Sequence, residues 1–367
     1  MTQVLDREQI AEWSAQQPQR PWTKKPARLQ AWIAVAALLP SALVALIFTY
    51  TEIPGPILLV AVFFPLQLLA AGIAAVATKG RQGAADSVII VLSVGATLFS
   101  FIILTSVLGS LIVRGLEALW GEDGFRSSFL FQNNVYINPS TPLEYGGLGH
   151  AVIGTLLIVL IASVIAVPIG IATAIYITEV RGRAVPYVRF FVQAMSGIPS
   201  IVAGLFILTV LIVSGAMNQS AFAGGLAYAI LMLPTVARTA EEVLRLIPEE
   251  LRTGALALGS TRARVVLRVV IPAAKTGVIT AIILGVARVI GETAPLLLTS
   301  LKSDQTILNP LGDPIAALPT YIFDNVALPY PGAVTRAWGA ALVLMILVLI
   351  LFTLARILGR DRLNRFR

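Results

Sequence analysis

The chain has 367 residues, of which 57% are hydrophobic and only 13% charged, about half the ~25% charged fraction of a soluble domain. This composition excludes an ordinary soluble enzyme and predicts an all-α polytopic membrane protein. Cysteine is absent and His150 is the only histidine, which leaves no disulfide, no zinc cluster and no Ser-His-Asp arrangement; the net charge of +8 suggests a nucleic-acid partner until the basic residues are mapped.

In chain order, a polar tail at 1–30 precedes apolar windows at about 31–50, 56–77, 87–113, 150–177, 190–214, 220–237, 277–300 and 338–357. Each is near the ~20 residues that a bilayer crossing needs, so about eight transmembrane helices are expected. The first window ends LIFTYTEIPG with no small-residue cleavage pattern, and it reads as a span, not a signal peptide. With the next window it forms a hairpin, 31–85, whose spans within 31–77 carry no interior charge or motif and which reads as a packing or targeting accessory. Of the 27 lysines and arginines, 22 fall on one set of alternate segments. Four (Arg114, Arg126, Lys302 and Arg336) fall on the other set, and Arg288 lies inside a span. By the positive-inside rule both termini, including the basic tail at 358–367, are cytoplasmic. The basic charge is a topology signal, and nucleic acid is not expected as a partner.

Two outer segments, 115–147 and 301–335, are long enough to meet something outside. The second contains Leu318-Pro319-Thr320-Tyr321-Ile322, an amphipathic stretch expected to lie at the membrane interface. His150, at the outer mouth of the fourth window, is expected there too. Spans four to six carry interruptions: Pro168 with Gly170, Ser196-Gly197-Ile198-Pro199-Ser200 with Gly204, and Pro234. Proline removes a backbone donor, and such breaks fit either kinked helices around an aqueous route or close packing through small residues.

The inner segment 238–276 holds seven basic residues and reads as two short helices, divided at Pro248 and turned at Gly259. Glu241 with Arg245 and Glu249 with Arg252 stand at helical neighbour spacings. Leu246, Leu251, Leu256 and Leu258 give it an apolar side, which suits a soluble partner or the lipid headgroups.

Arg288 and Glu292 fall in the middle of the window 277–300. A charge at that depth costs at least ~2.5–3.5 kcal/mol on insertion scales and faces a partner or a water-filled route. Spacing of four puts both on one face of a helix. A guanidinium offers paired donors suited to an oxyanion, and the carboxylate can neutralise it when no anion is present. The competing reading is an intramembrane salt bridge that holds spans together. Thr293 and Thr299 add hydroxyls nearby, although a helix hydroxyl commonly bonds its own backbone. Ser196 and Ser200 flank a break that would suit the same route.

The segment RTGALALGSTRARVVLRVVIPAA resembles the docking loop of ATP-binding-cassette importer permeases. The family pattern E-A-A, three residues, G, nine residues, I-x-L-P lands on Thr253-Gly254-Ala255, Gly259 and Val269-Val270-Ile271-Pro272. Thr253 replaces the glutamate and Gly254 an alanine, which leaves Glu249 or Glu250 to supply the missing carboxylate. MSGIPSIVAGLF (195–206), LMLPTVARTAEE (231–242) and ARVIGETAPLL (287–297) extend the likeness. Together these segments resemble the PstA-type permeases of phosphate ABC transporters within the binding-protein-dependent transport family; the partner C-type tends to read G-E-T-M-A. The resemblance covers roughly 86–357 and implies a type I ABC importer permease core, with 238–276 as the ATPase-coupling loop. It implies a phosphate pathway through Arg288, Glu292, Thr293, Ser196 and Ser200, in a bacterial inner membrane. It also implies three partners: a second homologous permease, an ATPase, and an extracytoplasmic phosphate-binding protein meeting 115–147 and 301–335. No G-x-x-x-x-G-K-[ST] run occurs, so ATP-Mg belongs on the separate ATPase and this chain binds no cofactor. A molybdate or sulfate permease, an ion-coupled carrier and a phosphate-sensing subunit are the alternatives.

Overall fold

The computed structural model describes residues 27–50, 62–122, 124–180 and 182–359. Most of the expected N-terminal tail, the start of the second window and the basic tail from 360 onward lie outside the described residues. The chain divides into two compact units, 1–107 and 108–367.

In the first unit, helix α1 is Ala27–Tyr50, and α2 begins at Phe64 and runs on to Leu119. Helical backbone continues through 78–86, where the sequence places a basic segment between spans. The chain nevertheless doubles back. Gly95 lies directly against the Phe64 ring, whereas a straight helix would hold the two residues ~45 Å apart. The reversal therefore falls in the interval that contains 78–86.

Among the described residues, four helices are long and apolar enough to cross a membrane: Val88–Leu119, Gly149–Val180, Ala221–Arg245 and Pro331–Ile357. Two sharply bent pairs raise the number to six. The first two of the eight expected windows correspond to the shorter apolar stretches Leu38–Ile47 and Phe64–Ala74. The protein is an all-α polytopic membrane protein.

The second unit opens with a two-residue antiparallel pair, β1 (Trp120–Gly121) and β2 (Gly124–Phe125), and a short helix α3 (Ser127–Phe131). Its axis is α4 (Gly149–Val180) packed along α7 (Ala221–Arg245). The apolar window of α7 is 67% buried against 33% for α4, so α7 is the central helix, with Tyr228, Met232 and Val236 in the core. Pro168 and Pro234 do not interrupt these helices; both lie inside continuous ones. Neighbouring helices at the centre of the bundle make a proline tolerable there.

The interruption at 197–199 does redirect the chain. Helices α5 (Val185–Ser196) and α6 (Ser200–Ile212) meet at 102°. After α7 come α8 (Glu249–Ala257), α9 (Arg262–Ala273) and α10 (Lys275–Val289), the last two bent by 73°. The window 277–300, expected as one span, is broken after Val289 and resumes as α11 (Ala294–Thr299). Pro295 explains this, because in a continuous helix its ring would clash with the carbonyl four residues back. Two helices complete the unit, α12 (Leu318–Val326) and α13 (Pro331–Gly359). The stretch at 318–322, expected at the interface, is mostly interior. Leu318 and Tyr321 pack with Phe129, Leu148 and Ala340, since its polar Thr320 is satisfied locally by the Ala317 backbone.

Candidate functional site

Arg288 occupies the last turn of α10, where a cation is favoured by the helix dipole. Glu292 lies just beyond the helix end, its N–H bonded to the Val289 carbonyl at 3.0 Å. The expected pairing is present: an Arg288 guanidinium nitrogen donates to Glu292 Oε1. It spans a helix end and not one helix face. Arg288 is 47% exposed on this chain and Glu292 22%, so the guanidinium retains open surface beyond its partner. A residue not singled out from sequence, Tyr228, holds the break. Its hydroxyl, almost fully buried in α7, donates to the Glu292 carbonyl. The backbone of Glu292 is thus anchored while its carboxylate remains on the surface side.

The two motifs that flank breaks come together. Gly204 in α6 faces Pro295 in α11 so closely that a Cβ there would lie 2.6 Å from the Pro295 Cα. The SGIPS and GETAP segments are therefore packed through their following helices. Of the hydroxyls, Ser196 bonds the Val192 carbonyl at 3.0 Å and Thr299 the Pro295 carbonyl at 2.8 Å, each turned to its own helix. Thr293 stands at the start of α11 without capping it, and Ser200 begins α6 half-buried.

The loop at 238–276 is structured. Pro248 ends one helix and begins the next, and Gly259 takes φ +80°, a left-handed turn that a side chain would strain. Leu258 is 88% exposed and Leu246 80%, and Thr253, Gly254 and Pro272 are also on the surface while Ala255, Val269 and Ile271 are half-buried. Thr253 turns its hydroxyl to the Glu249 and Glu250 carbonyls. Behind this surface Arg252 is buried. Its Nη2 and Nε donate to Glu179, at the end of α4, at 2.9 and 3.2 Å, and its Nη1 and Nη2 to the Ile247 and Leu244 carbonyls at 2.6 and 2.9 Å. Glu249 is only a marginal partner at 3.4 Å. Sequence spacing pointed to Glu249 because Glu179 is 73 residues away; only the reversal of the chain brings it near. Glu241 is bonded by Arg189 of α5 as well as by the expected Arg245.

His150, expected at the interface, is buried, because the 127–148 segment folds over it. Among the described residues no group of three metal-ligating side chains is assembled.

The bundle thus carries a charged pair at a broken span and a helical loop with exposed leucines at one end. Residues 166–364 match the family described as binding-protein-dependent transport system inner membrane component. The phosphate transport system permease protein PstA 1 of Mycobacterium tuberculosis is 43% identical over 204 residues, 55% of this chain and 67% of that protein. PstA of Yersinia pestis is 36% identical over 275 residues, 74% of this chain and 89% of that protein. A solved inward-facing MetNI methionine ABC transporter chain aligns with a TM-score of 0.47 and 19% identity, covering 58% of this chain and 93% of that one. The chain belongs to the binding-protein-dependent transport system inner membrane components, in the branch whose relatives carry the name PstA.

Proposed function

We propose that the chain is the membrane permease subunit of an ATP-driven phosphate importer in a bacterial inner membrane, with both termini cytoplasmic. The observation that carries this reading is the Arg288–Glu292 pair: a guanidinium in a broken apolar span, held by one carboxylate and otherwise open. A phosphate oxyanion offers two oxygens to that guanidinium and displaces the carboxylate, which swings away while Tyr228 keeps the backbone in place. Glu292 can also accept the proton of a P–OH group, which sulfate lacks at neutral pH. Thr293, Ser196 and Ser200 line the same route.

The surface formed by Leu246, Leu258 and Pro272 seats in a separate ATPase that holds ATP-Mg, and the Arg252–Glu179 joint carries that subunit's motion into α4. A second homologous permease completes the route, and an extracytoplasmic phosphate-binding protein delivers its cargo to the segments 115–147 and 301–335. The reading is supported by the family match and by the names of the relatives. Its test is phosphate uptake by cells carrying Arg288→Gln, Glu292→Gln or the double variant, scored against the amount of assembled complex. Uptake that stays normal in all three, with normal assembly, removes the pathway role. Uptake that persists when the ATPase is inactivated marks an ion-coupled carrier. Uptake of molybdate or sulfate in place of phosphate changes the substrate.

A further inference from the structure

At the end of the bundle away from the docking loop, the segments 127–148 and 301–326 close over the start of α13. They line a partly open cavity of about 80 Å3 with a mixed polar and apolar wall, which includes Asn134, His150, Lys302, Asp304, Asp324 and Arg336. That is room for several waters or one small tetrahedral anion.

Arg336 is 1% exposed. Its Nη2 donates to the carbonyls of Thr141, Pro142 and Tyr145 at 3.1, 2.9 and 3.0 Å, which staples the outer segment to α13. Its Nε and Nη1 make no hydrogen bond of good geometry among the described residues, although the Tyr321 hydroxyl stands close to the guanidinium, and the guanidinium makes no ion pair among them. A buried charge with two open donors and no counter-ion is costly. The same cavity holds further open groups: both ring nitrogens of His150, itself 1% exposed, and Oδ1 of Asn134. These groups are held in place. The His150 ring meets Tyr321 edge to face at 5.7 Å. Asn134 donates from Nδ2 to the Tyr321 hydroxyl at 3.4 Å and from its backbone N–H to the Asp304 carbonyl at 3.0 Å. Lys302 and Asp304 stand 3.9 Å apart, a loose pair. Burial pushes the Asp324 carboxyl above its usual range.

We propose that this cavity binds a protonated tetrahedral oxyanion, namely inorganic phosphate, at a second site on the outer side of the Arg288–Glu292 pair. The choice of phosphate rests on the transport reading above. One phosphate oxygen accepts from Nε or Nη1 of Arg336, and another accepts from the N–H of a neutral His150. The P–OH proton is donated to Asn134 Oδ1 or to the Asp304 or Asp324 carboxylate. Water satisfies the same hydrogen bonds but leaves the guanidinium without a counter-charge. Sulfate supplies the charge but has no proton for the acceptors.

The test uses the full-length chain with its co-purifying subunits in maltoside detergent, which carries no phosphate. The readings are binding of radiolabelled inorganic phosphate and the rise of Tm with phosphate concentration. Because Arg336→Gln also cuts the three carbonyl bonds, the leading variant is Asn134→Asp, which keeps the shape and sets a carboxylate in the wall of the same cavity. The expected result is a saturable response to phosphate and not to sulfate in the wild type. In Asn134→Asp the phosphate-free Tm should be maintained while the required phosphate concentration rises about tenfold or more. Equal responses in the two proteins overturn the site, as does no response in the wild type, which assigns the cavity to water. A response abolished in phospholipid nanodiscs assigns it to a lipid headgroup and also overturns it. Cellular uptake by the wild type is scored separately. Uptake present with no effect of Asn134→Asp on binding sinks the cavity site alone, and absent uptake sinks the transport reading.

Discussion

Arg252 and Arg336 are both buried arginines at opposite ends of the same bundle, and they are treated oppositely. All three nitrogens of Arg252 are bonded: Nε to the Glu179 carboxylate, Nη1 to a backbone carbonyl and Nη2 to both kinds of acceptor. Arg336 spends one nitrogen on three carbonyls and leaves two open to a cavity. A buried charge that is fully satisfied acts as a rigid joint; one that is half satisfied holds its own element and still has capacity for something else. Arg288 stands between these cases, with one carboxylate partner and an open side.

This gradient can be broken or sharpened by removing each guanidinium in turn. Arg252→Gln leaves Glu179 buried without a partner, and a loss of about 3–5 kcal/mol is expected in denaturant or thermal unfolding of the detergent-solubilised protein. Adding Glu179→Gln should restore part of that loss; no recovery would show that the pair contributes through shape and not charge. Arg336→Gln should lose about 1–3 kcal/mol in phosphate-free buffer through the freed carbonyls of Thr141, Pro142 and Tyr145. A loss as large as that of Arg252→Gln would erase the distinction between the two ends. Arg288→Gln should change unfolding by less than about 1 kcal/mol, because its pair is partly exposed, while phosphate uptake falls by about tenfold or more. Stability lost in step with uptake would return this pair to the role of a structural bridge. The smallest effect belongs to Arg238→Ala. Its pair with Glu242 is exposed on both sides, and about 0.3–0.5 kcal/mol at most is expected by the same unfolding measurement.

The loop at 238–276 was legible because its punctuation is local. Pro248 cannot continue a helix with its neighbours, and Gly259 supplies a positive φ within the same few residues that the pattern names. The prolines at 168 and 234 carried the same local signal and were misleading, because neighbouring helices around α4 and α7 absorb them. Pro295 marked the break after Val289, but hydropathy ran smoothly across it and hid it inside one apolar window. His150 and the 318–322 stretch were placed at the interface for the same reason, since composition does not reveal which outer segment folds over them.

The candidate pair shows where each kind of information stops. That Arg288 and Glu292 belong together follows from their spacing in an apolar run. That Glu292 lies off the helix, anchored through Tyr228 from 64 residues away, follows only from how α7 packs.

From its residues alone this chain specifies an all-helical membrane protein, the pairing of Arg288 with Glu292 and a helical loop turned at Gly259. Hydropathy, basic-residue bias and backbone punctuation are properties of neighbours in sequence. Which arginine is saturated and which is left open was decided by tertiary structure. The partners in question, Glu179 for Arg252 and the 141–145 carbonyls for Arg336, are 73 and at least 191 residues distant. Only chain reversal brings such groups within hydrogen-bond reach, and no local pattern encodes it.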